Sequence, residues 1–528
     1  MIKNGVDEEE LIISIGLLAS YIALVFGGFY FVFALKYYVS TIISLIVLTR
    51  NSDILSPSLP EQSDENNSEL GSLLLEPFIS IHLPFFNETN VARRIIRACM
   101  DIDYPNYEIL VADDSRDETI QIMKESEWRT TKPIIKFVHR KDRTGFKGGA
   151  LQAAQKYMHP RSKFVMVFDA DFVPPRTIIH DFLNHFKKVE NKGKPVAAVQ
   201  GYQLHYLNKT ENWVTRGVRA EFSGSYMIER VAEEYFGALK MISGSVFMLR
   251  NEVLRTLGWT TSITEDWELT LRLYLEGYRV AYTPLIQAPA EIPTTLSRLA
   301  RQRMRWAEGH TYAVKRYFWR VIKSPMLTVS EKLEFLYFTP YYLQSLFFMI
   351  GTTSFIISEI YRQRPSFWTP MLGWGLIVSN FLAIPLMGLA GLFLEGDLRE
   401  DYSGIFSFIA ISYFVTPYQA YAALKGLLEK EEGNWIRTLK TGHITDNVLT
   451  IKFRLFVNWL RRLKGDKLHR VTNGPELGMF FPTRTILILT CFILVSLPFT
   501  DALIHIIRFL GTGLIDLLII FLGVRKIG

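Results

Sequence analysis

Cysteine is almost missing: Cys99 and Cys491 are the only two in 528 residues. That excludes a disulfide framework and any zinc site built on thiolates. Charge is also sparse. Asp, Glu, Lys and Arg make up 21% of the chain, below the usual share of roughly 25%. Wholesale disorder is excluded by the aromatic content of 13%, because disordered chains lack that apolar mass. What the chain has in excess is hydrophobicity, at 49% with a mean hydropathy of +0.13. A water-soluble enzyme of this size falls below zero. The net charge of +7 suits either nucleic acid or an anionic membrane face, and its placement decides between them.

The apolar residues are concentrated. The run 11–35 has no charge and, at roughly 1.5 Å per residue, crosses a hydrocarbon core of about 30 Å. Its acidic flank and lack of a small-residue cleavage site favour an uncleaved span over a signal peptide, so residues 1–50 are expected to form an N-terminal transmembrane helix. Residues 51–76, rich in Ser, Asn, Pro, Asp and Glu, read as a flexible linker. Residues 77–330 have the composition of a water-soluble domain. Hydrophobicity returns over 331–425, where 335–359 and 371–395 are long enough to span. Segment 404–424 is apolar too, but holds Pro417, Gln419 and several Tyr. Residues 426–483 are basic on balance, which places them on the cytoplasmic side. The parity of spans then makes 404–424 a re-entrant or interfacial helix. Leu449, Phe453, Phe456, Leu460 and Leu463 form one apolar stripe among Lys and Arg, a membrane-surface pattern, although a core helix with a solvated face has the same pattern. Residues 484–528 read as a hairpin of two spans turning near 498–501. The positive charge thus belongs to a membrane, and no nucleic acid partner is expected. The chain reads as multi-pass and integral to the cell membrane, with its water-soluble domain in the cytoplasm.

Within 77–330, short β runs at 78–83, 107–112, 134–139, 163–168 and 196–200 alternate with helical stretches such as 90–100, 117–127 and 148–158. This alternation predicts an α/β domain with a largely parallel sheet covered on both faces. Ligands of such sheets bind beyond the carboxyl ends of the strands. Two strand ends there finish in acids, Asp113-Asp114 and Asp169-Ala170-Asp171. An Asp-x-Asp on a turn can grip a divalent cation and leave positions for phosphate oxygens. Acids in turns also serve as helix N-caps, but two pairs at matching strand ends argue for a site. Between them, residues 140–150 are basic and glycine-rich and precede a helix. Backbone amides with Lys147 and Arg143 suit a diphosphate, though this is not a Walker A loop. Thr264-Glu265-Asp266 opens a helical stretch, where acids also simply favour the helix dipole. Gln302, Arg305 and Trp306 share one side of a basic helix, a pattern shared with a juxtamembrane helix carrying a Trp anchor.

Asp-Asp, Asp-x-Asp, Thr-Glu-Asp and Gln-x-x-Arg-Trp, in that order and flanked by spans, resemble the membrane-embedded glycosyltransferase family 2, which includes cellulose synthase, hyaluronan synthase and cellulose-synthase-like glucan and mannan synthases. Residues 77–88, 103–105, 145–151 and 435–442 share in the likeness, which runs from about 77 to 442. The resemblance implies a GT-A-type, Rossmann-like α/β catalytic domain inserted between transmembrane helices. It implies that Asn87, Glu88 and Asp113 contact the nucleoside of a UDP- or GDP-sugar, with Asp114 towards the ribose and diphosphate. Asp169 and Asp171 would hold Mg²⁺ or Mn²⁺. Asp266 would be the general base, with Glu265 beside it in the catalytic motif. Gln302 and Arg305 would approach the diphosphate together with Lys147, and Trp306 would stack on the acceptor.

The implied activity is inverting, metal-dependent hexosyl transfer onto a growing β-linked polysaccharide, with translocation of the product and contact with membrane lipids. Single-sugar transfer to a lipid acceptor is the alternative, since such enzymes share the motifs. A transporter or scaffold that only binds nucleotide is a third reading, disfavoured because the expected spans hold almost no acids. The sequence departs from the family at Ser243-Gly244-Ser245, where Phe-x-Gly-Thr is common, and has no Phe-x-Val-Thr-Trp gating segment, a related job being expected of residues 435–442.

Overall fold

The computed structural model describes residues 2–50, 76–129, 133–190, 193–361, 370–433, 440–445 and 485–495. The expected linker, the surface helix around 449–463 and the turn near 498–501 lie outside them. Seven strands form one sheet: β1 (Phe78–Phe85), β2 (Tyr107–Asp113), β3 (Ile134–His139), β4 (Ser162–Val167), β5 (Val196–His205), β6 (Phe247–Arg250) and β7 (Arg279–Ala290). The helices used below are α1 (Ile2–Arg50), α2 (Ala92–Met100), α3 (Phe146–Gln155), α4 (Ile178–Val189), α5 (Trp213–Gly224), α6 (Glu265–Leu275), α7 (Leu296–Lys323), α8 (Val329–Phe338), α9 (Gln344–Ile360), α10 (Pro370–Glu395) and α11 (Gly404–Leu428).

The strand order is β3-β2-β1-β4-β6-β5-β7. Every pairing is parallel except those of β6, which runs antiparallel to β4 and β5. The α/β expectation holds, with β6 making the sheet mixed. β1 shows why the sheet is covered twice. Its Ile79, Ile81, Leu83 and Phe85 are buried among α2 and α4 side chains such as Ile95, Ile96, Phe182 and Phe186. β2 neighbours on the other face, Leu110 and Ala112, pack on Ala150, Leu151 and Ala154 of α3. α2 buries Ala92, Ile95, Ile96 and Cys99, the i, i+3, i+4, i+7 stripe of an amphipathic helix. Outward, Arg93 and Arg97 pair with Glu125 and Glu127.

This order puts the strand-order reversal at β1, flanked by β2 and β4. The acids Asp113-Asp114 and Asp169-Asp171 sit at those two carboxyl ends, where a crevice forms in such sheets.

The chain forms two compact units. One comprises the described residues of Met1–Ile42, Phe347–Met387 and Gly474–Gly528; the other, those of Ile43–Leu346 and Gly388–Asn473. The second contains the sheet and every candidate site residue. In the first, Tyr38 donates to the Ser379 carbonyl at 2.6 Å and Asn380 to the Gly27 carbonyl at 3.0 Å, tying α1 to α10. Glu10–Leu48 and Leu372–Glu395 are long and apolar enough to cross a membrane, while Gln344–Ile360 and Thr485–Val495 are apolar but shorter. The expected span 335–359 is divided: α8 ends at Phe338 and α9 begins at Gln344, with Pro340 between them, where a ring without an N–H interrupts the helix. Segment 404–424 is helical, as α11.

Candidate active site

At the β2 end, Asp113 is fully buried. Its Oδ2 lies 2.6 Å from His139 Nδ1, and its Oδ1 accepts from the Ser115 amide at 3.1 Å. The β2–β3 register places Asp113 opposite His139, so parallel pairing itself makes this contact. Asp114 is gripped by Arg140 through two bonds, Nε to Oδ1 at 2.7 Å and Nη2 to Oδ2 at 2.5 Å. Burial pushes the Asp114 carboxyl up, and Arg140 pulls it back. Asn87 stands in the left-handed region, φ 58. Its amide donates to Ser115 Oγ at 2.7 Å and its Oδ1 accepts from the Arg116 amide at 2.8 Å. Glu88 is buried, and its carbonyl receives the Val91 and Ala92 amides that start α2. Arg143 lies over the Phe86 ring, 3.4 Å from its centroid, and burial lowers its pKa to about 10. The four candidates at this end, Asn87, Glu88, Asp113 and Asp114, therefore belong to one neighbourhood.

Beyond β4, one side chain ties three elements together. Lys147 Nζ lies 2.8 Å from Asp169 Oδ1 and 3.2 Å from Glu265 Oε1, and it donates to the Gly244 carbonyl at 2.7 Å. Burial opposes the ammonium charge, but Asp169, Glu265 and Asp266 outweigh it and hold the pKa above the usual lysine range. Lys147 reaches this point because α3 starts close to its neighbours. A Cβ on Gly148 would run into the Thr260 carbonyl oxygen, and one on Gly149 into that of Thr144. The Asp169 amide donates to Ser245 Oγ at 3.0 Å. Asp171 is buried and takes a second lysine, Lys440, with Nζ 2.5 Å from Oδ2.

Asp266 occupies the first turn of α6. Its Oδ1 accepts from the Trp267 amide at 2.8 Å. Burial, then the adjacent Glu265 carboxylate, raises its pKa to about 7 against the pull of Lys147. A Cβ on Gly244, which has φ +73, would lie 2.9 Å from Asp266 Oδ2, so this glycine gives the carboxylate its room. On α7, Arg305 is held down in pKa by burial, while Glu265, Asp169 and Asp266 act on it as countercharges. Arg305 thereby joins the same charged centre. Trp306 is half-buried and lies 4.7 Å from the Arg303 guanidinium, which itself pairs with Glu221 at 2.7 Å. Gln302 is half-buried one turn earlier.

Several members of this site were not singled out from the sequence. His139 and Arg140 act through strand register. Lys440 lies within the 435–442 stretch already noted for its likeness, but nothing local marks it as the partner of Asp171. The neighbouring Thr441 and Gly442 amides both donate to Glu291 Oε2 at 3.2 Å, and Glu291 pairs with Arg94 at 2.7 Å. Among the described residues, no three His, Cys, Asp or Glu side chains form a metal cage by themselves.

Residues 77–309 match the model described as Glycosyltransferase like family 2. Among curated relatives, a probable glucomannan 4-beta-mannosyltransferase 2 of Oryza sativa subsp. japonica is 26% identical over 417 residues, covering 76% of this chain and 67% of its own length. Glucomannan 4-beta-mannosyltransferase 1 of the same plant is 26% identical over 420 residues, covering 77% of each. Among solved structures, mannosyltransferase PcManGT from Pyrobaculum calidifontis, in complex with GDP-Man and Mn²⁺, aligns with 78% of this chain and 100% of that one at 18% identity and a TM-score of 0.49. The matched stretch holds Asp113-Asp114, Asp169-Asp171, Glu265-Asp266 and Gln302–Trp306, on a mixed, mostly parallel GT-A-like sheet. Residues 77–309 are a glycosyltransferase domain of the family-2 type.

Proposed function

We propose that the protein transfers a mannosyl unit from a nucleoside-diphosphate sugar to a growing β-linked glycan, with inversion at the anomeric carbon. The observation that carries this reading is the position of Lys147. It bridges Asp169 at the β4 end to Glu265 at the start of α6, and a Cβ on Gly244 would meet both Lys147 Nζ and Asp266 Oδ2, so one acid suited to the leaving diphosphate and the acid suited to the acceptor lie near one ammonium. The curated relatives are mannosyltransferases by name, which favours mannose and a β-1,4 linkage.

The chemistry follows from these groups. The acceptor oxygen attacks the anomeric carbon from the face opposite the diphosphate. The bond to the diphosphate breaks and its electron pair leaves with phosphate oxygen. Asp266, poised near neutrality, takes the hydroxyl proton, as a general base matched to its working pH should. Lys147 and Arg305 offset the charge that develops on the leaving group. Asn87, Glu88, Asp113 and Asp114 hold the nucleoside end, and Trp306 offers a face to the acceptor sugar. Asp169 and Asp171 fit a divalent cation: they are hard oxygen donors, and each already attracts an ammonium, from Lys147 and Lys440 respectively. They are the residues that would hold Mg²⁺ or Mn²⁺, which when bound supplies charge neutralisation to the diphosphate, other oxygen donors coming from substrate and water.

Helices α1, α9 and α10 are read as membrane spans, α11 as an interfacial helix, and residues 77–330 as a cytoplasmic catalytic domain between α1 and α9. Apolar length and composition support this for α1 and α10. The product is read as passing through the chain's own spans. The test is to incubate purified protein with GDP-mannose, GDP-glucose and UDP-glucose plus Mn²⁺, and to digest the product with linkage-specific hydrolases. A β-1,4-mannanase-sensitive polymer is expected from GDP-mannose. A chloroform-soluble product carrying one sugar would replace this reading with glycolipid synthesis.

A further inference from the structure

The helix that carries Asp266 begins at an unusual turn. Thr264, in the N-cap position of α6, makes no side-chain capping bond to the helix. The amides before it are satisfied differently. Ser262 Oγ accepts from the Thr264 amide at 3.2 Å and itself donates to Glu432 Oε1 at 2.8 Å. The Ile263 amide donates to Glu432 Oε2 at 2.8 Å. One carboxylate, 169 positions away from Ile263, thus holds both a hydroxyl and a backbone amide of the turn.

Glu432 is itself held firmly. It follows α11 in a segment anchored along α7. Lys315 Nζ donates to the Leu427 and Glu429 carbonyls at 3.1 and 2.5 Å. Tyr312 donates to the Lys430 carbonyl at 2.9 Å. The Gly433 amide donates to Glu308 Oε1 at 2.8 Å, and Lys425 reaches the same oxygen at 2.9 Å. The turn is pressed against α7 as well, since a Cβ on Gly309 would lie 2.6 Å from Thr264 Cγ2. Glycine at 309 and 433 permits these approaches.

We propose that Glu432 is a positioning residue for Asp266: its carboxylate fixes the 262–264 turn, and with it the first turn of α6, so that placement of the base depends on the segment leaving α11. The proposal rests on the reading of Asp266 as general base. A half-buried carboxylate with both oxygens used on one turn makes a rigid link, and an error of about 1 Å in a reacting group can cost roughly a hundredfold in rate. Glu432 makes no bond to Asp169, Asp171 or Lys147, so its loss should act on turnover rather than on nucleotide binding.

The experiment uses the full chain with GDP-mannose as donor and GDP as binding probe, comparing Glu432→Ala, Glu432→Gln, Ser262→Ala and Asp266→Asn. Expected for Glu432→Ala is a fall in kcat of about tenfold or more, with donor KM and GDP affinity changed less than about twofold. Glu432→Gln should recover much of the rate, because its amide oxygen can accept from the Ile263 amide and its NH₂ can donate to Ser262 Oγ. Ser262→Ala, which removes one of the two contacts, should fall between and serves if Glu432→Ala does not fold. Wild-type kcat in Glu432→Ala or Ser262→Ala, no rescue by Gln, or a loss of GDP binding in proportion to kcat would overturn the proposal. Turnover persisting in Asp266→Asn would instead overturn the reading of the base on which it rests.

Discussion

The Lys440 ammonium stands 2.5 Å from the Asp171 carboxylate, joining residues 269 positions apart. A lysine from beyond α11 thus reaches the Asp-x-Asp turn of the sheet. The Asn90 side chain also donates to the Lys440 carbonyl at 2.9 Å, so the backbone is held as well as the charge.

Removing that charge should weaken handling of an anionic donor. For Lys440→Ala, kcat/KM for the nucleotide sugar should fall by about 10- to 100-fold, at about 1.4 kcal/mol per tenfold. Steady-state release of nucleoside diphosphate measures it. An unchanged kcat/KM would mean that Lys440 serves only the apo fold.

Activity should follow the charge state of Asp266. Below a pH of about 7 its carboxyl is protonated and cannot accept the hydroxyl proton; above it the carboxylate is free to do so. The rate should therefore rise through that value and level off above it. A pH profile of kcat/KM checks the sign, and a rate that falls across the same range would contradict the role given to Asp266.

Gly148 tests the packing that delivers Lys147. An added methyl meets the Thr260 carbonyl oxygen, backbone that cannot simply swing away. Gly148→Ala should destabilise the chain by about 1–3 kcal/mol and lower turnover through Lys147. Thermal melting alongside kinetics reads both effects.

Arg219 is fully buried. It pairs with Glu395, lies 3.0 Å from Asp397 and 3.5 Å from Asp401, and meets the Tyr202 hydroxyl at 3.2 Å. Replacing it by Leu removes the cation shared by Glu395, Asp397 and Asp401, although Asp401 keeps Lys209 at 2.9 Å; removing one partner of a buried pair costs about 3–5 kcal/mol. A loss near zero in Arg219→Leu would mean that the cluster rearranges or hydrates.

Much of the fold was legible because its central strands are short apolar runs ended by acids. β1 to β5 lie where those runs fall. β6 escaped because four residues, Phe247–Arg250, carry too little pattern. β7 escaped because Pro284 and Pro289 break its run, and its register with β5 shifts between Gln200 and Tyr202. The helical stretch expected over 117–127 is instead two short turns, Thr119–Ile122 and Ser126–Trp128. In the site, acids at strand ends announce themselves, since a buried carboxylate needs a counterion. Their partners do not. His139 is found only through the register of β3, and Lys440 and Glu432 only through the path of the chain beyond α11.

The stereochemistry of the product tests the central claim most directly. With an α-linked nucleoside-diphosphate mannose, the coupling between carbon and proton at the newly formed anomeric centre should report a β linkage, as a single displacement with Asp266 as base requires. An α-linked product would contradict the account.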